Sequence, residues 1–377
     1  MLKRIICTVL IFCFCFGGFV WADEMNLSAK SSILAERTTG KILYENNAKE
    51  QLPMASVTKM MTLLLGIEAV DNGKIKMEDT VTVSEYASSM TGSRVFLSVN
   101  EVISVHDLFK SIAVASGNDA AVALAEFIAG SESNFVEKMN QRATELGLSD
   151  THFTNCTGLP AENHYSTAGD LLILSRELLS HTSIRPFLTI WMDSLREGSF
   201  TLANTNKLIR FYEGATGIKT GSTDEAGFCM SASAQRDGME LIAVVLGCPT
   251  SKERFADASS LLNLGFSSYG VEKGVEKGEE LAEVTVEKGK KKKVAVLAEQ
   301  EFSLVVKKEQ KGTMTHELDV SDVFTAPLSK GETIGKMTFF LDGKKVGSVN
   351  VICAEAIKRA SFFQVYGAIL RLWANVN

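Results

Sequence analysis

The chain opens on an apolar stretch, Ile5 through Val20, preceded by Lys3 and Arg4 and followed by Trp21-Ala22 before Asp23. This is the layout of a cleaved secretory signal, assigned to residues 1–22. The run is short for a bilayer span, which weighs against an uncleaved anchor. Beyond it, helical and strand patterns mix from Asn26 to Tyr269. Ser31–Glu36 and Lys41–Tyr44 pattern as strands around Thr38-Thr39-Gly40. Ser56 to about Val70 patterns as a helix stopped by Asp71-Asn72-Gly73. Val105–Ile128 is helical but interrupted by Ser116-Gly117-Asn118. Ala168–Ser180 and Ser251–Leu264 also read as helices, and Phe228–Ala234 with Met239–Leu246 as a hairpin around Asp237-Gly238.

From about Gly270 the pattern changes. Short alternating runs recur at Ala282–Val286, Val294–Leu297, Phe302–Val306, Met314–Leu318, Met337–Leu341 and Val346–Val351, which predicts a small all-β domain over 270–354. A last change comes at residues 355–377. At ~100° per residue, Phe362, Val365, Tyr366, Ile369, Leu372, Trp373 and Val376 share a face roughly 120° wide, with Lys358 and Arg359 at the start. This predicts an amphipathic helix lying on a membrane surface, with packing against the β domain as the alternative. Polar residues interrupt it too often for a span.

Composition narrows the classes. The 377 residues are 45% apolar and 22% charged, an ordinary globular balance, and the net charge of −6 gives no reason to expect nucleic-acid binding. The basic run Lys290 to Lys293 lies between two strand patterns and reads as a solvated hairpin tip rather than an anion site. With residues 1–22 removed, Cys156, Cys229, Cys248 and Cys353 remain without a CxxC pair. Buried free thiols are preferred to a disulfide framework, and no metal-ligand spacing is present. No cofactor or metal is expected.

The chemistry centres on Ser56 and Lys59. On a helix, positions i and i+3 share a face. Serine needs a neighbouring base to become a nucleophile, and none of the five His is near Ser56 in sequence. Lys59 is the nearest candidate. A free lysine titrates near ~10.4, so a base useful near pH 7–8 needs a shift of about 3 units, roughly 4 kcal/mol. Burial or a second cation, for which Lys219 is the candidate, would push it that way. Ser-x-x-Lys alone is a weak signal, since chance gives about one per chain of this length. Ser116-Gly117-Asn118 and Lys219-Thr220-Gly221 add weight. Two further Ser-x-Asn matches, at Ser98 and Ser348, lie at a helix entry and inside a strand pattern. His152 and His164 flank a loop and read as packing residues. Met60 and Met61 read as core.

The order Ser-x-x-Lys, Ser-x-Asn, Lys-Thr-Gly resembles the penicillin-binding proteins and serine β-lactamases, a motif set already known as such. The longer stretches Pro53–Thr62, Ala115–Ala121, Asn155–Pro160 and Gly217–Thr223 resemble the low-molecular-mass D-alanyl-D-alanine carboxypeptidases across nearly the whole mature chain. The resemblance implies an α/β (α+β) catalytic domain over 26–269, with an antiparallel sheet and a helical lobe. It implies a nucleophile at Ser56, a base at Lys59, a proton relay at Ser116 and an orienting amide at Asn118. It implies an oxyanion hole from the N–H groups of Ser56 and Ser222. Lys219, Thr220, Gly221, Ser222 and Arg254 would bind substrate, Arg254 holding the leaving carboxylate unless it is a surface charge. Some relatives have His where this chain has Ser222. The implied partners are peptidoglycan pentapeptides ending in D-Ala-D-Ala and β-lactams, met at the outer face of a bacterial membrane.

Two alternatives differ in chemistry. A serine β-lactamase would turn penicillin over rapidly, yet no Glu-x-x-x-Asn element of the hydrolysing type lies between Ser116 and Lys219. An inactive peptidoglycan-binding protein would not need all three motifs intact.

Overall fold

The computed structural model describes residues 25–361 except 311 and 313. The secretory signal expected over 1–22 and most of the tail helix lie outside these residues. Chain-order labels cover the larger elements: strands β1 (Ser31–Glu36) and β2 (Ile42–Asn46), helices α1 (Lys59–Asp71), α2 (Val105–Ala115), α3 (Asn118–Ala129), α4 (Glu132–Glu145) and α5 (Ala168–Ser180), strands β3 (Ala215–Thr223), β4 (Gly227–Arg236) and β5 (Met239–Cys248), and helix α6 (Ser251–Ser268).

The five strands form one antiparallel sheet in the order β2-β1-β5-β4-β3. Helices cover both of its faces, which explains why β5 is apolar almost without interruption. Ile242, Val244 and Leu246 face one core with Met60, Leu63, Leu174 and Leu178. Leu241, Ala243 and Val245 face the other, with Ala258, Leu261 and Leu262 of α6. Helix α1 is apolar on every side because it runs through the middle of the helical lobe, where Met60, Met61, Leu63, Leu64 and Ile67 are all buried. Helix starts are set by side chains: the hydroxyls of Ser104, Thr167 and Thr250 accept from the N–H three residues on, at 3.0, 3.0 and 3.2 Å.

Helix α6 runs directly into β6 (Tyr269–Val275), a strand the sequence pattern did not predict. It pairs with β9 (Phe302–Lys307). Strands β7 (Glu280–Glu287), β8 (Lys293–Ala298), β10 (Met314–Val320), β11 (Val323–Thr325), β12 (Thr333–Leu341) and β13 (Lys344–Cys353) make a six-stranded sheet in the order β10-β12-β13-β8-β7-β11. Alternating Val284, Val286, Val294, Val296, Val349 and Val351 fill its core. The lysine run is the tip of the β7–β8 hairpin, and Lys291 reaches Glu355 at 2.6 Å.

The tail helix does not start at residue 355, contrary to expectation. Ile357 bridges to Leu328 and Arg359 to Gly289, so Lys358 and Arg359 sit in extended chain tied to the β domain. Backbone already bonded across to other segments cannot also make helical bonds. Residues 362–377 lie outside the described part. Among the described residues no helix is long and apolar enough to cross a membrane.

Candidate active site

Ser56 does not sit on an α-helix. It lies in a 3-10 turn, Ala55–Thr58, and α1 begins only at Lys59. The correction strengthens the pairing, because three residues per turn bring side chains i and i+3 directly over one another. Lys59 Nζ lies 3.0 Å from Ser56 Oγ. Ala55, just before Ser56, has φ of +48°, a left-handed conformation costly for a residue with a Cβ.

The Lys59 amine is fully buried and has two more partners, Asn118 Oδ1 at 2.6 Å and the Thr157 carbonyl at 2.6 Å. Burial pushes its pKa down to about 7, against smaller opposing effects of Cys156 and Asp119. Near pH 7, then, much of it is a neutral amine with two N–H bonds and one lone pair. The two carbonyl oxygens take the N–H groups, and the lone pair is left for the Ser56 hydroxyl.

Lys219 was the sequence candidate for the cation that lowers Lys59. The cause at Lys59 is burial, with no contribution from Lys219, which is itself depressed. Its pKa lies well below the ordinary value, first through burial and then through the charges of Lys59 and Arg254. Its Nζ donates to Ser116 Oγ and to the Thr220 carbonyl, each at 2.9 Å. No carboxylate of the described residues forms an ion pair with Lys219.

Ser116 ends α2 in the left-handed region, φ +60°. That reversal, followed by Gly117, turns the chain so that Asn118 can open α3. Asn118 Nδ2 donates to the Thr91 carbonyl at 2.6 Å, which fixes its oxygen toward Lys59. The Asn118 N–H donates to the Ser93 carbonyl at 2.7 Å. Asp119, buried beside it, accepts from the N–H groups of Val95, Leu97 and Ala120 at 3.1, 3.0 and 2.9 Å. Residues 91–97 are thereby clamped against the start of α3. Asp119→Ala would leave three buried N–H groups without a partner. It is expected to cost roughly 3–5 kcal/mol, read as a lower denaturation midpoint at unchanged m-value.

Lys219, Thr220, Gly221 and Ser222 lie on the edge strand β3, paired only with β4. Gly221 is where this strand meets the Ser56 turn. A Cβ there would lie 2.7 Å from the Ser56 nitrogen, 2.8 Å from the Met54 oxygen and 2.9 Å from the Val57 nitrogen. All three are backbone atoms and cannot rotate away. Gly221→Ala is therefore expected to push the turn and the strand apart and to slow acylation by about 10²-fold, the effect of misplacing reacting groups by ~1 Å. Stopped-flow labelling with a fluorescent penicillin reads it directly.

A cleft of about 310 Å³ joins these parts, lined by Ser56, Ser93, Ser116, Thr205, Thr220, Gly221, Ser222, Phe228, Ser251 and Arg254. Arg254 is only 6% exposed, which rules out a surface helix charge. Its Nη1 donates to the Gly221 carbonyl at 3.0 Å and its Nη2 to Ser251 Oγ at 3.1 Å, and its guanidinium lies between the Phe228 and Phe255 rings. The arrangement holds a hydroxyl beside a neutral amine at one end and donors for an anion at the other.

All nine residues singled out in the sequence meet at this cleft and the turn behind it. Sequence reasoning missed the Thr157 carbonyl, Thr91, Asp119, Ser93, Thr205, Phe228 and Ser251. A backbone carbonyl leaves no side-chain signature, although Thr157 falls within the Asn155–Pro160 stretch that carries the resemblance. His164 is a packing residue, with Nε2 2.7 Å from Thr58 Oγ1 behind the turn. The cysteines at 156, 229, 248 and 353 are free and buried.

Residues 20–250 match the sequence family described as D-alanyl-D-alanine carboxypeptidase, and residues 269–359 match the C-terminal domain of penicillin-binding protein 5. The chain is 44% identical over 374 residues to D-alanyl-D-alanine carboxypeptidase DacF of Bacillus subtilis, covering 96% of each chain. It is 34% identical to DacA of Haemophilus influenzae, over 89% of this chain and 87% of that one. The solved structure of penicillin-binding protein 5 from Haemophilus influenzae superposes with a TM-score of 0.74 at 33% identity, covering 89% of this chain and 99% of that one. Penicillin-binding protein D2 of Listeria monocytogenes, solved with ampicillin bound, superposes with a TM-score of 0.59 at 33% identity over 64% of this chain and 99% of that one. With its motifs gathered at one cleft and 96% of its length aligned to such a relative, the chain belongs to the D-alanyl-D-alanine carboxypeptidase family, the serine-type low-molecular-mass penicillin-binding proteins.

Proposed function

We propose that this enzyme removes the terminal D-alanine from peptidoglycan stem peptides through an acyl-enzyme on Ser56. The observation that carries the assignment is the Lys59 amine, held by Asn118 Oδ1 and the Thr157 carbonyl with its third position 3.0 Å from Ser56 Oγ. Lys59 takes the hydroxyl proton as Oγ attacks the carbonyl carbon of the penultimate D-alanine. The N–H groups of Ser56 and Ser222 stabilise the oxyanion. The C–N bond breaks, and the proton that Lys59 took passes by way of Ser116, which touches Lys219, to the departing amine, leaving Lys59 neutral again. Thr220, Lys219 and Arg254 hold the leaving carboxylate, whose negative charge favours the ammonium form of Lys219. Water then attacks the ester, giving a proton to Lys59, which returns it to Ser56 Oγ as the acid departs.

A β-lactam carries a carboxylate and a reactive amide in the same relation, so the same site is acylated by penicillin. The ampicillin and cefotaxime complexes of the Listeria protein support this reading. So does the lack of a Glu-x-x-x-Asn element of the hydrolysing type between Ser116 and Lys219. The reaction runs at the outer face of the cytoplasmic membrane, a reading supported by the signal-like residues 1–22 and the amphipathic pattern of the C-terminus. The test is an assay of free D-alanine from an acyl-D-Ala-D-Ala peptide together with the lifetime of the fluorescent penicillin adduct. D-alanine release with an adduct lasting minutes or longer is expected. Rapid antibiotic turnover without D-alanine release would overturn the assignment in favour of a β-lactamase.

A further inference from the structure

The β domain carries a motif that the catalytic chemistry does not use, the lysine run of the β7–β8 hairpin. Lys288, Lys290, Lys291, Lys292 and Lys293 are all exposed there. The chain after β13 brings two more basic side chains to the same place. The Lys290 N–H donates to the Lys358 carbonyl at 2.9 Å, the Ala360 N–H donates to the Lys288 carbonyl at 2.8 Å, and Gly289 bridges to Arg359. Lys358 and Arg359 are exposed as well. A Cβ on Gly289 would lie 2.8 Å from Ile357 Cγ2, so the two segments are in close contact. In sequence the run looks like an ordinary solvated tip, because the residues that complete the cluster lie far along the chain.

Two of these charges have acidic partners: Lys291 pairs with Glu355 at 2.6 Å and Lys293 with Glu283 at 2.7 Å. Among the described residues no carboxylate forms an ion pair with Lys288, Lys290, Lys292, Lys358 or Arg359. Glu287, exposed beside the tip, is the remaining acid next to the run. Lysines on strands often guard an open sheet edge against pairing. Here β7 lies between β8 and β11, and β8 between β13 and β7, so neither strand is an edge. The whole chain has a net charge of −6, yet like charges are gathered at this one end of the β domain against their mutual repulsion. Backbone pairing holds them there. A solvated tip gains nothing from the two added charges, whereas an anionic partner does. Ser361 follows, and then the amphipathic pattern of Phe362 to Val376.

We infer that this cluster is a headgroup-binding surface: the folded β domain lays the β7–β8 tip and Lys358-Arg359 against the anionic phosphates of a phospholipid bilayer. The inference rests on the reading that the enzyme works at the outer membrane face, and it adds to the amphipathic C-terminus a second contact made by the folded domain itself. The two signals differ in kind. The C-terminal pattern supplies apolar area, and the cluster supplies charge next to the point where that pattern begins. Either signal alone gives weak, reversible attachment, and together they hold. Each basic side chain near an anionic surface strengthens binding by about fivefold at low salt. The effect fades within a Debye length, so it is specific to the end of the domain that meets the lipid.

The experiment measures co-sedimentation of the mature enzyme, C-terminus intact, with phosphatidylcholine vesicles that contain or lack phosphatidylglycerol. Wild type is expected to bind the anionic vesicles at least about twentyfold more tightly at low salt and to lose that preference in about 0.5 M salt. The triple variant Lys290→Gln, Lys292→Gln, Lys358→Gln should lose at least about tenfold on anionic vesicles and stay within about twofold of wild type on neutral ones. Its release of D-alanine from a soluble peptide should also stay within about twofold, which reports an intact fold. A control removes the same charge from other exposed lysines of the β domain, Lys330→Gln, Lys344→Gln, Lys345→Gln, and should lose less than about threefold. An equal loss in both variants would reduce the effect to net charge and overturn the inference. So would a triple variant that binds anionic vesicles like wild type, since the C-terminal segment would then carry attachment alone. Tighter binding of wild type to soluble poly(glycerol phosphate) than to vesicles, lost in the triple variant, would assign the cluster to a wall polymer instead. Wild type that binds both vesicles equally overturns the inference and leaves the membrane reading standing; binding to neither defeats both.

Discussion

Ser56→Ala is expected to lower D-alanine release by about 10⁴-fold or more and to abolish covalent labelling by penicillin. Loss of a nucleophile that forms the intermediate removes the pathway itself, not one stabilising contact. The fold should tolerate the change. Ser56 is partly exposed, its hydroxyl has Lys59 as its described partner, and Ala55 already shows that a methyl fits the turn. The variant should still bind the peptide, because Thr220, Lys219 and Arg254 are untouched. The decisive comparison is a mass spectrum after penicillin exposure. Wild type should gain the mass of one penicilloyl group and the variant none, at equal thermal stability. An adduct that persists in the variant would place the nucleophile elsewhere and dissolve the role given to Lys59.

Much of the fold was legible in the sequence, and the reasons differ by element. The β4–β5 hairpin and helices α5 and α6 announce themselves through apolar period and turn or cap residues. The three motifs could be ordered into one site only through resemblance, since neither Ser116 nor Lys219 carries a sign of where it points. Three things were not legible. The turn at Ser56 reads as helix because Ala55–Thr58 has no breaker; its 3-10 form follows from Gly221 pressing against it from a strand more than 150 residues away. Strand β6 carries two glycines and charged residues, and it exists because β9 is there to pair with it. The extended path of Ile357 to Arg359 is likewise fixed by bridges to Leu328 and Gly289, against the helical period that the sequence carries from Phe362 to Val376. In each case tertiary pairing overrode a local pattern.

The source of the Lys59 shift decides what its titration should look like. Because burial lowers it, and not the charge of Lys219, the neutral amine is present before substrate arrives. Acylation in the free enzyme should therefore rise tenfold per pH unit below about 7 and level off above it, and Lys59→Met should lose at least about 10³-fold at the plateau. The same shift has a signature in stability. Above pH ~10.5 the amine is neutral folded and unfolded alike, so nothing is lost. As pH falls toward 7 the unfolded chain binds a proton that the folded chain does not, and stability drops by roughly 5 kcal/mol over that window. Lys219, also depressed, acts in the same direction. The two lysines thus add stability as pH rises from 7.5 to 8.5, while the thiols, raised in the folded protein and ionising at ~8.5 in the unfolded chain, act the other way. Lys59→Met removes one of the protons involved, and its stability should climb less steeply, by about 1.4 kcal/mol per pH unit. Chemical denaturation of the two proteins at three pH values reads that difference, with all other groups cancelling. Parallel curves would mean that Lys59 stays protonated in the folded enzyme, and a protonated Lys59 cannot take the proton of Ser56.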